Sequence, residues 1–158
     1  MQKKSDKFDA GARAVLKVHV ANTQEANNEL TEALATLNEA LADLPGSDAH
    51  KAWPANARAR ILHKLGRDDE AVQTLANALV SLFRGYDAVI AKGDQAETKL
   101  NVWLAGIHLT FARICEDTNK PILAKHFAQS VLDITDPKNL LNERKKEARK
   151  ILESLHKP

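Results

Sequence analysis

Apolar side chains recur at helical spacing along most of the chain, and one segment, Leu100 to Cys115, is apolar on almost every side. In helical projection its main stripe consists of Trp103, Ile107, Phe111 and Ile114. A helix that is apolar nearly all round is usually buried within a bundle of other helices. The segment is too short and too often interrupted by polar residues to span a membrane. The pattern therefore predicts a central helix from about Gln95 to Asp117, with amphipathic helices packed against it.

The clearest periodicity is a leucine seam, in which leucines are spaced by four and three residues: Leu30, Leu34, Leu37, Leu41 and Leu44. This spacing predicts an amphipathic helix that begins near Thr23. The helix is expected to end at Leu44, because residues 45–48, Pro-Gly-Ser-Asp, are a turn sequence. The seam is expected to pack inside the chain or, if nothing in the chain covers it, to form a homodimer surface.

Five further helices are predicted from apolar spacing, turn residues and prolines. They run from Asp6 or Asp9 to about Val20, from Trp53 to Leu65, from Asp68 to about Lys92, from Lys120 to about Thr135, and from about Lys138 to His156. Gly66 is expected to end its helix in a left-handed conformation, and residues 1–7 are expected to fray. The helix from Asp68 is expected to turn a broad apolar face, which includes Phe83, Tyr86 and Ile90, toward the helix before it. Strand-like alternation is absent from the sequence, so the chain is predicted to be all-α, with about seven helices in antiparallel hairpins.

The composition fits one soluble helical domain over residues 1–158. Hydrophobic residues make up 44% of the chain and charged residues 28%, which is ordinary for a globular protein and argues against wholesale disorder. A single cysteine, Cys115, excludes an internal disulfide framework and a cysteine-based zinc site. The first ten residues lack the apolar core of a secretory signal, so the expected compartment is the cytoplasm.

Charge is unevenly distributed, although the net charge is only +2. Residues 21–50 contain six acidic residues and no lysine or arginine, whereas residues 51–67 contain five basic residues and no acid. A net charge this close to zero does not by itself indicate nucleic-acid binding. Neighbouring segments of opposite sign are expected to pair as antiparallel helices.

Three stretches of the chain resemble one another, and they begin at Ala26, Ala71 and Ala124. In each stretch a leucine or alanine follows four residues later, and another apolar pair three to four residues after that. Repetition of a helical unit is typical of a solenoid, in which each hairpin buries its apolar face on its neighbours. The three alanines are separated by 45 and 53 residues.

The stretch from Trp53 to Phe83 resembles the tetratricopeptide repeat family. Residues 65–71, Leu-Gly-Arg-Asp-Asp-Glu-Ala, look like that family's turn between two helices, followed by its small residue at the start of the second helix. Leu75 and Ala78 stand where that helix normally carries an aromatic and a small residue, and the segment from Ala105 to Asp136 matches more weakly. The chain departs from the family in the spacing of its repeats, because a tetratricopeptide repeat is about 34 residues long. The resemblance implies a right-handed α-solenoid, and an irregular helical bundle fits the same pattern.

The resemblance also implies a groove lined by the first helices of the hairpins. The residues that it places there, as contacts for a partner, are Trp53, Asn56, Arg60, His63, Lys64 and Arg113. Arg60, Lys64 and Arg67 fall on one helical face, which suits an acidic peptide because a guanidinium binds a carboxylate bidentately. The alternative is a face that is solvated or paired with glutamates of the same chain.

No catalytic, metal or cofactor motif is present in the sequence. The six histidines are scattered, and no two have the spacing of a helical metal site. His108 lies on the central helix and is expected to be a core histidine with a hydrogen-bond partner. Cys115, on the same helix, is expected to be a buried and inert thiol.

A second surface is the basic side of the last helix, which carries Lys145, Lys146, Arg149 and Lys150. Such a stripe can contact phosphates, although Glu143, Glu147 and Glu153 dilute its charge. The expected function is therefore a non-catalytic interaction module that binds a protein or peptide. The alternative is a helical nucleic-acid-binding subunit, and an enzyme ranks third.

Overall fold

The computed structural model of the protein describes residues 2–46, 48–93 and 95–157, with side chains from residue 11 onward. Seven α-helices account for most of this part of the chain, and it contains no strand. They are α1 Gln2–Ala26, α2 Leu30–Asp43, α3 Ala52–Lys64, α4 Asp68–Ile90, α5 Ala96–Asp117, α6 Pro121–Asp133 and α7 Asn142–Leu155. The prediction of an all-α fold with seven helices is confirmed.

The chain divides into two compact units, Met1–Gly85 and Tyr86–Pro158, and the boundary lies within α4. In the first unit α2 packs against both α1 and α3, and α1 also contacts α3. Three leucines of the seam, Leu34, Leu37 and Leu44, are buried. The seam is therefore covered within the unit and does not offer the homodimer surface considered above.

In the second unit α5 packs against both α6 and α7, and these two helices pack against each other. The core of the unit includes Leu109 of α5, Val131 of α6 and Ile151 of α7. Leu141, directly before the start of α7, is also part of it. Half of the residues of α5 are buried, which agrees with its nearly all-round apolar sequence. No helix in the described part of the chain has the length and apolar character needed to cross a membrane.

Four helix boundaries differ from the sequence prediction. Helix α1 begins at Gln2, within the segment that was expected to fray and before the predicted start at Asp6 or Asp9. It extends to Ala26, so residues 23–26 end α1 and do not begin α2. The turn between them depends on Asn28, whose backbone is left-handed with φ 62°. Helix α7 begins at Asn142, because the Asp136 carboxylate accepts hydrogen bonds from the backbone N–H groups of Leu140 and Leu141 and holds the preceding loop. Ser47 and Asp94, which belong to predicted turns, lie outside the described residues.

The prediction for the apolar face of α4 is wrong in its last third. Ala71, Leu75, Ala78 and Leu82 are buried, but Phe83 is 84% exposed, and Tyr86 and Ile90 are exposed as well. The reason is the position of these residues around the helix. The buried stripe continues through Leu82, Gly85 and Val89, and Phe83, Tyr86 and Ile90 each lie one position further along, about 100° away on the exposed side.

The turns of three hairpins, α1/α2, α3/α4 and α5/α6, have the same geometry. Each contains a left-handed residue, namely Asn28, Gly66 or Asn119, with φ of 62°, 74° and 56°. The residue after it donates its N–H to the carbonyl five positions earlier, at 2.8, 2.9 and 2.8 Å. This is the Schellman ending of a helix, and the predicted left-handed Gly66 is confirmed.

The buried positions of the three hairpins also coincide when they are counted from the left-handed residue. Each hairpin buries the residues 14, 10 and 7 positions before it and 5, 9 and 12 positions after it, and none is more than 7% exposed. They are Ala14, Val18, Ala21, Ala33, Leu37 and Ala40; Ala52, Asn56, Ala59, Ala71, Leu75 and Ala78; and Ala105, Leu109, Ala112, Ala124, Ala128 and Val131. The hairpin is thus repeated three times, with the small residues letting its helices approach closely.

This register corrects the sequence prediction for the first stretch. Ala26 is exposed at the end of α1, and the buried counterpart of Ala71 and Ala124 is Ala33. The spacing between the first two hairpins is therefore shorter than the sequence comparison indicated. A seven-residue shift preserves helical spacing, which is why the pattern of apolar residues alone did not fix the register.

Candidate partner-binding surface

The surface predicted to bind a partner lies where α1 and α3 run side by side in the same direction. At one end the ring of Trp53 on α3 meets the ring of His19 on α1 edge to face, with centroids 5.5 Å apart. At the other end Arg60 and Lys64 of α3 reach Glu25 of α1. We call this the α1–α3 face, defined by His19, Glu25, Trp53, Arg60 and Lys64.

Glu25 is the centre of the charged end. Arg60 donates to its two carboxylate oxygens, from Nη2 at 2.8 Å and from Nε at 3.3 Å, and Lys64 Nζ donates at 2.8 Å. Only 12% of the Glu25 side chain is exposed. Burial by itself would raise the pKa of Glu25, but the hydrogen bonds from Arg60 and Lys64 outweigh burial, and the pKa lies below its usual value. The carboxylate is thus ionised and held by two cations.

This arrangement bears on both interpretations of the face. The alternative, in which the cations of this face pair with glutamates of the same chain, agrees with the structure, because the Glu25 carboxylate binds both Arg60 and Lys64. Ion pairs between the acidic segment 21–50 and the basic segment 51–67 are present here. They join α1 to α3, which run in the same direction, so the predicted antiparallel arrangement is wrong for this contact. The same contact demonstrates that the two cations converge on a single carboxylate, and half of the Lys64 side chain remains exposed.

Two of the predicted contact residues do not line an open surface. Asn56 is 7% exposed and occupies one of the repeated buried positions of its hairpin. His63 binds Asp68 at the start of α4, with Nδ1 and Oδ1 2.5 Å apart. This contact spans the turn at Gly66 and joins the two helices of the hairpin.

Arg113, the sixth predicted contact residue, belongs to the second unit. It lies on α5 and forms an ion pair with Glu147 of α7. Arg144 of α7 also donates to the carbonyl of Val102 on α5. Arg113 therefore contributes to the attachment of α7 to α5.

The basic side of α7 is divided by the structure. Lys145 is half-buried, and its Nζ donates to the carbonyl of Ile134 at 2.6 Å, which ties the helix to the end of α6. Lys146, Arg149 and Lys150 are exposed. The basic surface of α7 is thus a patch of three cations, since Lys145 serves a structural contact.

Cys115 occupies the interior position that the sequence predicted, whereas His108 is only partly buried. Cys115 is buried, and burial raises the pKa of its thiol despite the opposing charge of Lys120. His108 meets the ring of Phe127 edge to face at 5.8 Å. Its Nδ1 atom is buried without a hydrogen-bond partner, so the expected partner is missing at this atom. Burial, and then the nearby His126, lowers the pKa of His108.

The described residues contain no group of three histidine, cysteine, aspartate or glutamate side chains that is arranged to hold a metal ion. A pocket of about 290 Å³ lies in the second unit, between the start of α5 and the loop before α7. Asn101, Asp136 and Lys138 are among the residues that line it. The Asp136 carboxylate accepts hydrogen bonds from the backbone of Leu140 and Leu141, and Lys138 Nζ donates to the side chain of Gln95 at 3.5 Å, so both side chains have partners within the chain.

Sequence reasoning named the cations of the α1–α3 face but missed Glu25 and His19. Both are distant from their partners along the chain, since they lie on α1 and their partners lie on α3. For Glu25 the repeat supplies a signal, because the equivalent position on the second hairpin is His63, next to Lys64. Comparison of the chain with protein-family models, with curated proteins and with solved structures finds no match in any of the three.

Proposed function

We propose that this chain is a non-catalytic interaction module that binds an acidic segment of a protein partner along the α1–α3 face. The observation that carries the proposal is the convergence of Arg60 and Lys64 on one carboxylate. A pair of cations that holds the carboxylate of Glu25 has the geometry to hold a partner's carboxylate in its place. In this proposal the three hairpins are degenerate tetratricopeptide-like repeats, and the protein works in the cytoplasm.

The other end of the face supports a partner with an apolar side chain near its carboxylate. Trp53 lies two turns before Arg60 on α3, which corresponds to about 10 Å along the helix. An extended peptide advances about 3.3 Å per residue. A segment with an aromatic or aliphatic residue about three positions from an acidic residue would therefore contact both ends.

The test is a pull-down from lysate of the source cells, with and without nuclease. The bait is the native chain, and the variant is Arg60→Glu/Lys64→Glu. Arg84→Glu/Lys99→Glu is the matched control, because it reverses two exposed cations on other surfaces. Circular dichroism establishes that all three chains are equally helical.

We expect one defined protein that survives nuclease, binds the native chain and the control, and is lost from the Arg60→Glu/Lys64→Glu variant. Binding that survives this variant would overturn the proposal. A peptide from the recovered protein, with its acidic residues replaced by amides, then shows whether carboxylates are what the face recognises.

A second candidate function is nucleic-acid binding through the patch of Lys146, Arg149 and Lys150. Three exposed cations on one helix favour it, since phosphate contacts come chiefly from lysine and arginine. The exposed Glu143 and Glu153 on the same helix count against it. In the same pull-down this function predicts nuclease-sensitive material that is unaffected by Arg60→Glu/Lys64→Glu and lost from Lys146→Gln/Arg149→Gln/Lys150→Gln.

A further inference from the structure

The repeated hairpin shows what packs against the outer side of a first helix. On α3, Pro54, Arg58 and Ile61 share one face, since they are spaced by four and three residues. Pro54 and Ile61 are fully buried. Arg58 Nε donates to Asn38 Oδ1 on α2 at 2.7 Å. This face of α3 therefore lies against α2, the second helix of the preceding hairpin.

The equivalent positions on α1 are Leu16, Val20 and Thr23. They stand in the same relation to Asn28 as Pro54, Arg58 and Ile61 do to Gly66. Here the leucine is 64% exposed, the valine 50%, and the threonine is exposed too. Within the described residues the first hairpin thus presents outward, uncovered, the face with which the second hairpin docks. We call Leu16, Val20 and Thr23 the α1 edge.

We propose that the α1 edge is a docking site for an amphipathic helix of a partner, and that this helix carries a leucine seam and acidic flanks as α2 does. The repeat supplies the shape argument, because the α1 edge continues the interface that α2 and α3 already form. Exposed apolar side chains such as Leu16 and Val20 are the kind of surface that a partner helix covers.

Charge supplies the second argument for this occupant. Residues 11–24 contain Arg13, Lys17 and His19 and no acidic residue. Lys51, on the second hairpin, stands at the position equivalent to Arg13. Helix α2 carries Glu32, Glu39 and Asp43 and no basic residue. Lys17 already binds Glu39 and Asp43 of α2 in its own hairpin. The exposed Arg13 is therefore the cation beside the α1 edge that can meet an acidic flank of a partner helix.

The α2 helix of a second copy does not meet this description, because its seam is already covered by α1 and α3 of its own chain. The site is also separate from Arg60 and Lys64, so it stands or falls independently of the function proposed above.

The experiment measures binding of a fluorescein-labelled peptide with the sequence of residues 29–45 to the full chain by fluorescence anisotropy. A peptide of the same composition in scrambled order is the ligand control. The variants are Leu16→Glu/Val20→Glu and, as a milder change, Leu16→Ala/Val20→Ala. Val72→Glu/Val80→Glu is the matched control, since it alters two exposed apolar residues of α4 in the same unit. Sedimentation velocity of each chain without peptide gives its oligomeric state.

We expect saturable binding of the peptide to the native chain and to the α4 control, weakened at least tenfold by either change at the α1 edge. Absence of binding to the native chain would overturn the proposal. The proposal would also be overturned if both edge variants bound the peptide as tightly as the native chain does, because the peptide would then occupy another surface. If the native chain is a dimer and these variants are monomers, the proposal is wrong about the occupant, and the α1 edge is covered by a second copy of this chain.

Discussion

Arg60 of α3 and Glu25 of α1 are joined by two hydrogen bonds, at 2.8 and 3.3 Å, between residues 35 positions apart in the chain. The carboxylate is mostly buried and also accepts a hydrogen bond from Lys64. A charged group in such a place stabilises the fold only while its partners remain, because a buried carboxylate without its cations has lost its hydration and gains no attraction in return. The α1–α3 face is thus a structural contact as well as the proposed binding surface.

We expect Glu25→Gln to lower the free energy of unfolding by about 1–2 kcal/mol at pH 7, since it removes the charge from three hydrogen bonds whose donors, Arg60 and Lys64, are partly exposed. Urea unfolding followed by circular dichroism measures the change. Glu32→Gln, on the exposed side of α2, is the control and should change little. If the partner of the proposed function is in hand, the same Glu25→Gln variant should bind it more tightly, because the competing carboxylate has lost its charge.

The pKa of Glu25 also sets a pH dependence. Its pKa is lowered in the folded chain relative to the value of 4.5 for an unperturbed glutamate. The unfolded chain therefore binds the proton more readily, and the stabilisation from this group, present above about pH 4.5, is lost as the pH falls through the lower folded value. Between pH 6 and pH 3.5 the native chain should lose more stability than Glu25→Gln does. Equal losses would show that other carboxylates account for the acid sensitivity.

His108 is expected to make stability depend on pH in a higher range. Its pKa is lowered, chiefly by burial and also by His126, from the ordinary 6.5. Above that value the imidazole is neutral in both states and contributes no pH dependence. As the pH falls below about 6.5 the unfolded chain takes up a proton that the folded chain resists, so stability decreases. We expect His108→Gln to reduce the loss measured by urea unfolding between pH 7.5 and pH 5.5. An unchanged loss would assign it to another histidine.

The register of the first hairpin can be tested with two substitutions of alanine by leucine. Ala33 is fully buried at a repeated position, so Ala33→Leu should overpack the hairpin and lower the free energy of unfolding by about 1–3 kcal/mol. Ala26 is exposed at the end of α1, and Ala26→Leu should change stability by no more than about 0.5 kcal/mol. Thermal unfolding of the two variants decides between Ala33 and Ala26 as the anchor of this repeat. A larger effect at Ala26 would restore the register predicted from the sequence.

Two glycines are expected to respond in opposite directions to alanine. Gly66 has φ 74°, so Gly66→Ala should destabilise the chain by about 1 kcal/mol, although no atom lies within 4 Å of the added methyl group. Gly11 lies inside α1 with the same open space and no positive φ. Gly11→Ala should stabilise the chain by about 0.5–1 kcal/mol through helix propensity. Chemical denaturation of both variants gives the sign, and a stabilising Gly66→Ala would contradict the left-handed turn.

The burial of helices with strong apolar periodicity was predicted well from the sequence. The burial of α5 follows from its nearly all-round apolar sequence, and the burial of Leu34, Leu37 and Leu44 follows from the spacing of the leucine seam. Gly66 was predicted as a left-handed residue because glycine is the usual residue there. Asn28 occupies the same place in its hairpin, but asparagine occurs in many other settings. The end of α1 was therefore missed.

The candidate surface was harder to predict because it depends on pairs that are distant in sequence. The charge of Arg60 and Lys64 was evident, whereas their common partner Glu25 follows only from the side-by-side packing of α1 and α3. Asn56 was counted as a contact residue by resemblance, yet the first helix of its hairpin turns it inward. Phe83 was counted as core because of its spacing, yet the buried stripe of α4 runs through Leu82 and Val89 and leaves Phe83 on the exposed side.

The six buried positions of each hairpin cover the same length of chain, from Ala14 to Ala40, from Ala52 to Ala78 and from Ala105 to Val131. The segments between hairpins are unequal, because the stretch from Ala78 to Ala105 is more than twice as long as the stretch from Ala40 to Ala52. The length of chain inside a hairpin is thus constant, and the length between hairpins varies. A comparison that looks for one fixed repeat period adds the two lengths together, and it therefore overlooks the constant interior that the three hairpins share.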